Sequence, residues 1–306
     1  MKRRIQIVEV GPRDGFQNIE EYIPVEEKIA IIEKLVEAGV THMQHTSFVS
    51  PKAIPQMKDA AEVTQICLER FPNVRFNALV PNLFGAQKAW DLGVREVSFV
   101  FSLSESHNQA NLNRSHAQSL EELEKIRTQL PDLEIWLDVA CTFACPFEGV
   151  MEIEQLISFL EKPYGLGIRN FGLCDTIGYA NPVQVREVVA ACKKHYPEAH
   201  LYVHIHDTRN LGMANTLAAI EAGVDAVETT LGGLGGCPFA PGASGNTATE
   251  DLAFALEQMG YETGTDFKKL VQAAQDEKAI IPQGNYSGHQ INLSAKALLL
   301  EKGIKK

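Results

Sequence analysis

Glu221-Ala-Gly-Val224 marks a point at which a predicted helix gives way to a predicted strand, and near copies of it occur earlier in the chain. Glycine supplies the left-handed residue that ends a helix, and the apolar residue after it starts the turn into the next strand. The other copies are Glu37-Ala-Gly-Val40, Asp91-Leu-Gly-Val94 and Gly165-Leu-Gly-Ile168. This weak repeat predicts regular alternation of helices and strands.

Apolar, β-branched runs predict eight strands, and amphipathic stretches lie between them. The predicted strands are Ile5–Val10, Val40–Thr46, Val74–Val80, Arg95–Phe101, Leu133–Val139, Asn170–Cys174, Leu201–His206 and Ala226–Leu231. The predicted helices include Pro24–Ala38, Phe84–Leu92, Leu120–Leu130, Met151–Leu160, Pro182–His195 and Gly212–Ala222. A doubly wound open sheet would give the same alternation, but eight strands with no reversal in their spacing favour a closed (β/α)8 TIM barrel.

The length of 306 residues is normal for one α/β barrel. We expect a single catalytic domain over residues 1–306, with the barrel in about residues 1–260 and a C-terminal helical extension in about residues 261–306. Asp266–Ile280 and His289–Gly303 are the helices predicted for that extension. They would pack on the barrel or form a partner surface, and a homodimer through them is one interpretation.

Composition excludes several classes of protein. A net charge of −11 leaves no general excess of cations for nucleic acid. No apolar run approaches the ~20 residues that span a bilayer, so we expect no membrane association. The first residues pass straight into the strand Ile5–Val10, so we expect no signal peptide. Six scattered cysteines predict free thiols and a cytoplasmic location.

The strand Leu201-Tyr-Val-His-Ile-His-Asp207 carries two histidines with strand spacing. Side chains alternate between the faces of a strand, so His204 and His206 emerge on the same side, about 6–7 Å apart along the backbone. Both imidazoles would reach one metal ion. A coincidental pair, with one ring in the core and the other on a carbonyl, is equally compatible with this spacing.

The first strand supplies a carboxylate for the same site. Active sites of such barrels lie at the carboxyl ends of the strands, and Arg13 and Asp14 follow strand one directly. Asp14 with His204 and His206 would form an oxygen-plus-nitrogen set for Mg²⁺, Mn²⁺ or Zn²⁺. Taken alone, the Arg13-Asp14 pair would more often be a surface ion pair or a helix cap.

The loop Gly232–Asn246 follows the last strand and is rich in glycine. It is too irregular for helix or strand and long enough to fold over the barrel mouth. Cys237 lies in its middle, where it would be either a small buried side chain or a thiol that moves protons above a cation. Asn246 is interpreted either as the N-cap of the next helix or as a fourth metal ligand. No Gly-Lys-Ser/Thr follows, so this is not a phosphate loop.

Five motifs together resemble the hydroxymethylglutaryl-CoA lyase family, a family of metal-dependent barrel lyases. The resemblance runs in order over residues 5 to about 265, and the Gly232-Gly-Leu-Gly-Gly-Cys-Pro238 segment is its most specific part. The motifs are Val8–Asn18, Thr46–Lys52 with Pro55-Gln-Met57, Cys141–Gly149, His204–Thr208 with Ala214-Asn-Thr216, and Gly232–Asn246 with Ala248–Leu252.

The resemblance implies roles for individual positions. The metal ligands would be Asp14, His204, His206 and Asn246. Arg13, Asp14 and Cys237 would be the catalytic residues, with Arg13 stabilising a thioester enolate and Cys237 serving as proton donor or base on the mobile loop. Substrate contacts would come from Arg13, Gln17, Ser47 and Thr176, with Gln44 and Glu250 supporting the site. The cofactor would be a divalent metal, Mg²⁺ or Mn²⁺, with Zn²⁺ a further option in isolated protein.

The implied reaction is retro-Claisen cleavage of a 3-hydroxy-3-methylglutaryl-CoA-like thioester to acetyl-CoA and acetoacetate, a step of leucine degradation. Gln44 departs from the glutamate usual in the family, and the Arg209-Asn210 segment and the tail around Asn292–Lys296 also differ. Alternatives are a lyase for another 3-substituted acyl-CoA and a synthase that condenses acyl-CoA with keto acids. A catalytically silent metal-binding scaffold is a further one, whereas the carboxyltransferase domain of a biotin enzyme is disfavoured because there is no biotinyl segment and Cys174, not a lysine, ends strand six.

Overall fold

A closed barrel of eight parallel strands forms the body of the computed structural model, which describes residues 3–236 and 245–294. Each strand pairs with its neighbours in chain order, and the first strand pairs with the last. A short hairpin follows the fifth strand. The barrel strands are β1 (Gln6–Glu9), β2 (His42–Ser47), β3 (Arg75–Leu79), β4 (Glu96–Ser102), β5 (Glu134–Ala140), β8 (Asn170–Asp175), β9 (His200–Ile205) and β10 (Ala226–Thr229); the hairpin strands are β6 (Ala144–Cys145) and β7 (Gly149–Val150).

Helices connect the strands and cover the outside of the barrel, as parallel pairing requires. They are α1 (Val25–Glu37), α2 (Ala60–Arg70), α3 (Leu83–Asp91), α4 (Glu105–Leu112), α5 (His116–Gln129), α6 (Ile153–Gly165), α7 (Pro182–His195), α8 (Gly212–Ala222), α9 (Thr249–Gln258) and α10 (Phe267–Ile280). Their apolar faces pack against the outward side chains of the strands in two large hydrophobic clusters. None of the described helices has the length and apolar character needed to cross a membrane.

The prediction of a TIM barrel is confirmed, and each of the eight predicted strands is present with its ends displaced by two residues at most. Helix α10 matches the prediction for Asp266–Ile280, with Asp266 as its N-cap. Helices α2 and α4 were not predicted. The weak apolar periodicity of α4 explains that omission, because only His107 and Asn108 of its residues are buried.

The predicted helix His289–Gly303 is wrong over the part that the structure describes. A single 3-10 turn, Gln290–Asn292, is followed by extended backbone at Leu293. The side-chain amide of Gln275 donates to the carbonyls of Ile291 and Leu293 at 3.0 and 2.7 Å. Because these two carbonyls accept from a side chain, they do not accept the backbone hydrogen bonds that would extend the turn into a helix. Residues 295–306 lie outside the described chain.

The amino-terminal end of the barrel is closed by polar side chains that satisfy one another. His42 receives a hydrogen bond from Gln6 on one ring nitrogen, at 2.9 Å, and contacts Glu96 with the other. Arg75 bridges Glu96 and Glu134. Although burial raises the pKa of the Glu96 carboxyl, contacts with His42 and Arg75 outweigh it and hold that pKa below its usual value. We refer to these residues as the lower network.

Candidate metal centre and substrate cavity

Asp14 reaches the carboxyl end of the barrel from a tight turn that follows β1. Residues Gly11–Gly15 form one π-helical turn in which the backbone N–H of Asp14 donates to the Val10 carbonyl at 2.7 Å. All five residues of the turn are buried, and π turns are frequent at functional sites. The turn places Asp14 over the barrel mouth, above the ends of β9 and β10.

Asp14, His204 and His206 lie close enough together to share one ion. One ligand atom from each residue falls within 4.8 Å of the other two, and all three side chains are buried. The Nε2 atoms of His204 and His206 are 3.0 Å apart, and His204 Nε2 is 4.0 Å from Asp14 Oδ2. With metal–nitrogen bonds of about 2.1 Å, two ligands at right angles lie about 3 Å apart, so the imidazole spacing suits coordination.

Asn246 completes the arrangement with an oxygen that has no protein partner. Its amide nitrogen donates to Asp14 Oδ2 at 2.8 Å, whereas its Oδ1 is buried and lacks a hydrogen-bond partner in the described part of the chain. Such an orphaned buried acceptor is costly unless a ligand uses it. Helix α9 begins at Thr249 with Ala248 as N-cap, so the interpretation of Asn246 as the N-cap is wrong. The donor set of two nitrogens and two oxygens therefore fits a divalent cation.

The protonation states of Asp14 and His206 favour the binding of a cation. Burial raises the pKa of the Asp14 carboxyl, but Arg13 and the two histidines outweigh it, so the pKa is lowered and Asp14 stays ionised. Burial, together with the neighbouring His204, lowers the pKa of His206 to about 4, which keeps that imidazole neutral. A carboxylate beside a neutral imidazole is the protonation state in which both bind metal.

Glu228 fixes the orientation of His204. Its Oε2 lies 2.8 Å from His204 Nδ1, on the ring side away from the ion site. Burial lowers the pKa of His204, but the hydrogen bond to Glu228 and the charge of Asp14 raise it by more. A carboxylate on the far nitrogen orients a ligating histidine and increases its basicity. The sequence analysis did not predict a role for Glu228. A single charged residue inside the buried strand Ala226–Thr229 could have indicated one.

Arg13 is held beside the ion site by two neighbours. Its Nη1 donates to Asp14 Oδ1 at 2.6 Å, and its Nε donates to Gln44 Oε1. Gln44 in turn donates to Ser98 Oγ at 2.7 Å. The guanidinium is therefore buried in a fixed position, with donor groups left over for an anionic ligand. The neutral Gln44 holds Arg13 without adding a negative charge next to it.

A cavity opens directly above these groups. Arg13, Asp14, His204 and His206 line it, and so do two residues assigned to substrate contact, Gln17 and Thr176. Gln17 donates to Asp14 Oδ1 at 3.1 Å. Thr176 Oγ1 accepts from the backbone N–H of Cys141 at 2.8 Å. Further lining residues that the sequence prediction missed are His107, Asn111, Asp138 and Cys174.

Two other predicted residues, Ser47 and Glu250, do not line this cavity. Ser47 is buried, and its hydroxyl donates to the Leu79 carbonyl at 3.3 Å. Glu250 is buried, and its Oε2 accepts from the backbone N–H of Gly232 at 2.9 Å. Cys237 lies outside the described residues.

Comparison with known proteins places the chain among acyl-CoA lyases. The family model described as HMGL-like matches residues 4–276. The hydroxymethylglutaryl-CoA lyase of Bacillus subtilis is 40% identical over 274 residues, which is 89% of this chain and 91% of that protein. The human mitochondrial hydroxymethylglutaryl-CoA lyase is 39% identical over 275 residues, 89% of this chain and 84% of that protein.

Solved structures give the same result. An HMG-CoA lyase from Acinetobacter baumannii, solved in complex with coenzyme A and 3-methylmalate, superimposes with a TM-score of 0.88 at 39% identity. The match covers 95% of this chain and 97% of that one. The carboxyl transferase domain of Rhizobium etli pyruvate carboxylase has a TM-score of 0.73 at 14% identity, covering 96% of this chain and 49% of that one. That likeness shows a shared barrel fold alone.

Proposed function

Since this chain belongs to the HMGL-like family, together with the hydroxymethylglutaryl-CoA lyases that it resembles over most of its length, we propose that it cleaves 3-hydroxy-3-methylglutaryl-CoA to acetyl-CoA and acetoacetate. One observation carries the proposal. A buried arginine and a candidate divalent metal centre lie side by side in the same cavity. Retro-Claisen cleavage needs both, because the hydroxyl must be activated and the departing enolate must be stabilised.

The metal ligands in this proposal are Asp14, His204, His206 and Asn246. Asp14 supplies a charged oxygen, and the two imidazoles supply Nε2 atoms that converge 3.0 Å apart. When bound, Mg²⁺ or Mn²⁺ supplies Lewis-acid polarisation of the substrate oxygens. Glu228 holds His204 in the ligating orientation.

Arg13 is assigned to the developing negative charge on the thioester enolate. Its guanidinium is fixed by Asp14 and Gln44 before substrate arrives, so little reorganisation is needed as charge develops. A preorganised donor of this kind is commonly worth about 3–4 kcal/mol of barrier lowering. Gln17 and Thr176 line the same cavity and are assigned to substrate positioning. Cys237 is assigned to protonation of the enolate carbon, from the loop that begins at Gly232.

The cellular setting is part of the same proposal. An acyl-CoA is the expected substrate class, and the expected product pair fits a late step of leucine degradation. Scattered cysteines favour a cytoplasmic location, and the five described ones are free thiols. A homodimer through the C-terminal segment is a further expectation.

Turnover of the purified protein tests the proposal. Incubation with hydroxymethylglutaryl-CoA, Mg²⁺ or Mn²⁺ and a thiol reductant is expected to release acetoacetate, and chelation of the metal should stop it. Cys237→Ala is expected to abolish turnover while bound metal is unchanged; an unimpaired variant would remove the thiol from the mechanism. Cleavage of another 3-substituted acyl-CoA in place of this one would favour the alternative substrate. Condensation of acyl-CoA with a keto acid, without cleavage, would favour a synthase.

A further inference from the structure

Asp138 lies in the cavity and has no role in the mechanism described so far. It belongs to β5, its side chain is 5% exposed, and it lines the cavity together with Arg13 and His204. A carboxyl group in a largely apolar barrel interior is costly unless it is used. Its placement next to the reacting groups raises the question of what it does there.

Tyr202, on strand β9, holds the Asp138 carboxyl group in place through a hydrogen bond. Asp138, Gly172 and Tyr202 form one row across β5, β8 and β9. The Tyr202 ring passes over Gly172, where a Cβ atom would lie 2.4 Å from Tyr202 Cε2, and its hydroxyl donates to Asp138 Oδ1 at 2.6 Å. Trp136 packs against the same ring with centroids 4.7 Å apart. The carboxyl group is therefore fixed in position through one of its two oxygens.

The second oxygen of Asp138 is free for a ligand. Within residues 3–236 and 245–294, no hydrogen bond to Oδ2 accompanies the one that Oδ1 accepts from Tyr202. Burial and the charge of Glu228 raise the pKa of the Asp138 carboxyl to about 7, although Tyr202, Arg13 and His204 act in the opposite direction. Burial also raises the pKa of Tyr202 well above its usual value, so the phenol remains a hydrogen-bond donor.

Other carboxylates near the cavity are already engaged. Asp14 uses Oδ1 for Arg13 and Gln17 and Oδ2 for Asn246. Glu228 is committed to His204. Of the three carboxylates that line the cavity, Asp138 is thus the one that is neither a candidate metal ligand nor, within the described residues, hydrogen-bonded to one.

We propose that Asp138 is the general base that takes the proton from the substrate hydroxyl, an inference that rests on the proposed lyase function. The hydroxyl O–H bond breaks and a new O–H bond forms on Asp138 Oδ2. The oxygen lone pair becomes the second bond of the ketone, and the carbon–carbon bond breaks with its electron pair passing to the thioester enolate. A proton donor, assigned above to Cys237, protonates the enolate carbon, and proton exchange with water resets Asp138 and the donor.

Asp138→Asn separates this role from a structural one. The amide keeps the shape and the acceptor for Tyr202 but cannot take a proton. We expect kcat to fall about 100-fold to 10,000-fold, the usual contribution of a positioned base, with KM for hydroxymethylglutaryl-CoA changed little. Bound metal should stay at the wild-type value and the melting temperature should not fall below it, because replacing a buried carboxyl with an amide removes a desolvation cost.

Asp138→Ala provides a second readout. It vacates the position of the carboxyl, and we expect sodium formate to restore part of the lost kcat by acting as the base. Glu134→Gln, on the same strand but at the exposed lower end, is the control and should leave kcat unchanged with or without formate. Wild-type kcat in Asp138→Asn, or no restoration by formate in Asp138→Ala, would overturn the base while the lyase function stands. Absence of turnover in the wild-type protein would overturn the proposed function itself.

Discussion

Each end of the barrel carries a buried histidine paired with a glutamate, yet the two pairs differ in what surrounds them. In the lower network His42 has a partner on each ring nitrogen, and Glu96 is further engaged by Arg75. At the upper end Glu228 holds one nitrogen of His204, while the other faces His206 and Asp14. A satisfied network stabilises the barrel, whereas a network with spare ligand atoms is ready to bind. Burial of charge alone does not distinguish them.

His204→Ala and His42→Ala break this comparison most directly. We expect His204→Ala to lose bound metal and to lower kcat roughly 1,000-fold or more, because several kcal/mol of Lewis-acid stabilisation disappear. We expect His42→Ala to keep kcat within a small factor and to destabilise the protein by roughly 3–5 kcal/mol, because Glu96 loses a buried partner. Metal analysis, steady-state kinetics and urea unfolding measure the three quantities. Loss of bound metal in His42→Ala would contradict the assignment of the lower network to stability and of the upper end to metal binding.

Gln44→Ala sharpens the comparison within a single strand, since Gln44 and His42 both belong to β2. Loss of the Gln44 carbonyl frees Arg13 Nε and lets the guanidinium move. We expect kcat/KM to fall roughly 10-fold to 100-fold, the range for partners that orient a site group. Gln6→Ala is the matched control, because that glutamine serves His42 at the lower end. Equal losses in the two variants would show that Gln44 acts on stability alone.

Glu277→Gln gives the smallest expected effect and tests whether an unsatisfied polar group always marks function. Neither carboxyl oxygen of Glu277 has a hydrogen-bond partner in the described part of the chain, but the residue does not line the cavity. Burial raises its pKa well above the usual value, with Glu9 and Glu250 acting in the same direction. The folded protein therefore holds a proton that the unfolded chain releases near pH 4.3, and stability falls as pH rises towards the folded pKa.

The glutamine variant removes that pH dependence. We expect Glu277→Gln to raise the melting temperature at pH 8 by a few degrees, with a smaller gain at pH 6 and no change in kcat, because each pH unit is worth about 1.4 kcal/mol. Glu124→Gln, an exposed glutamate on α5, should change neither value. An equal gain at both pH values would mean that Glu277 is not protonated in the folded state.

The fold could be predicted because its signal is local and repeated. Four of the helix-to-strand junctions carry a glycine, and each strand has its own apolar run, so the errors at strand ends remain small. The metal ligands could be proposed for a similar reason. His204 and His206 lie on one face of a strand by periodicity, and Asp14 follows the end of another, where barrel chemistry is located.

The roles of the residues that the sequence analysis missed depend on pairing between strands that are distant in the chain. Asp138 and Glu228 appear in sequence as isolated charges within apolar strands, and their purpose is visible only when β5, β8, β9 and β10 are in register. Ser47 was assigned to substrate contact through the family resemblance. A register irregularity between Gln44 and Thr46 changes the alternation just before it, and Ser47 bonds to the Leu79 carbonyl instead.

Because the Tyr202 ring crosses over Gly172, the residue that is tolerated at one of these positions depends on the residue at the other. Gly172 needs no unusual backbone conformation, so a methyl group is forbidden there by the aromatic ring and by nothing in its own geometry. A side chain at position 172 requires a smaller residue at position 202, and loss of the tyrosine there removes the hydrogen bond that fixes Asp138. We therefore expect residues 172 and 202 to vary together among related barrels, with a side chain at 172 found only where residue 202 is small.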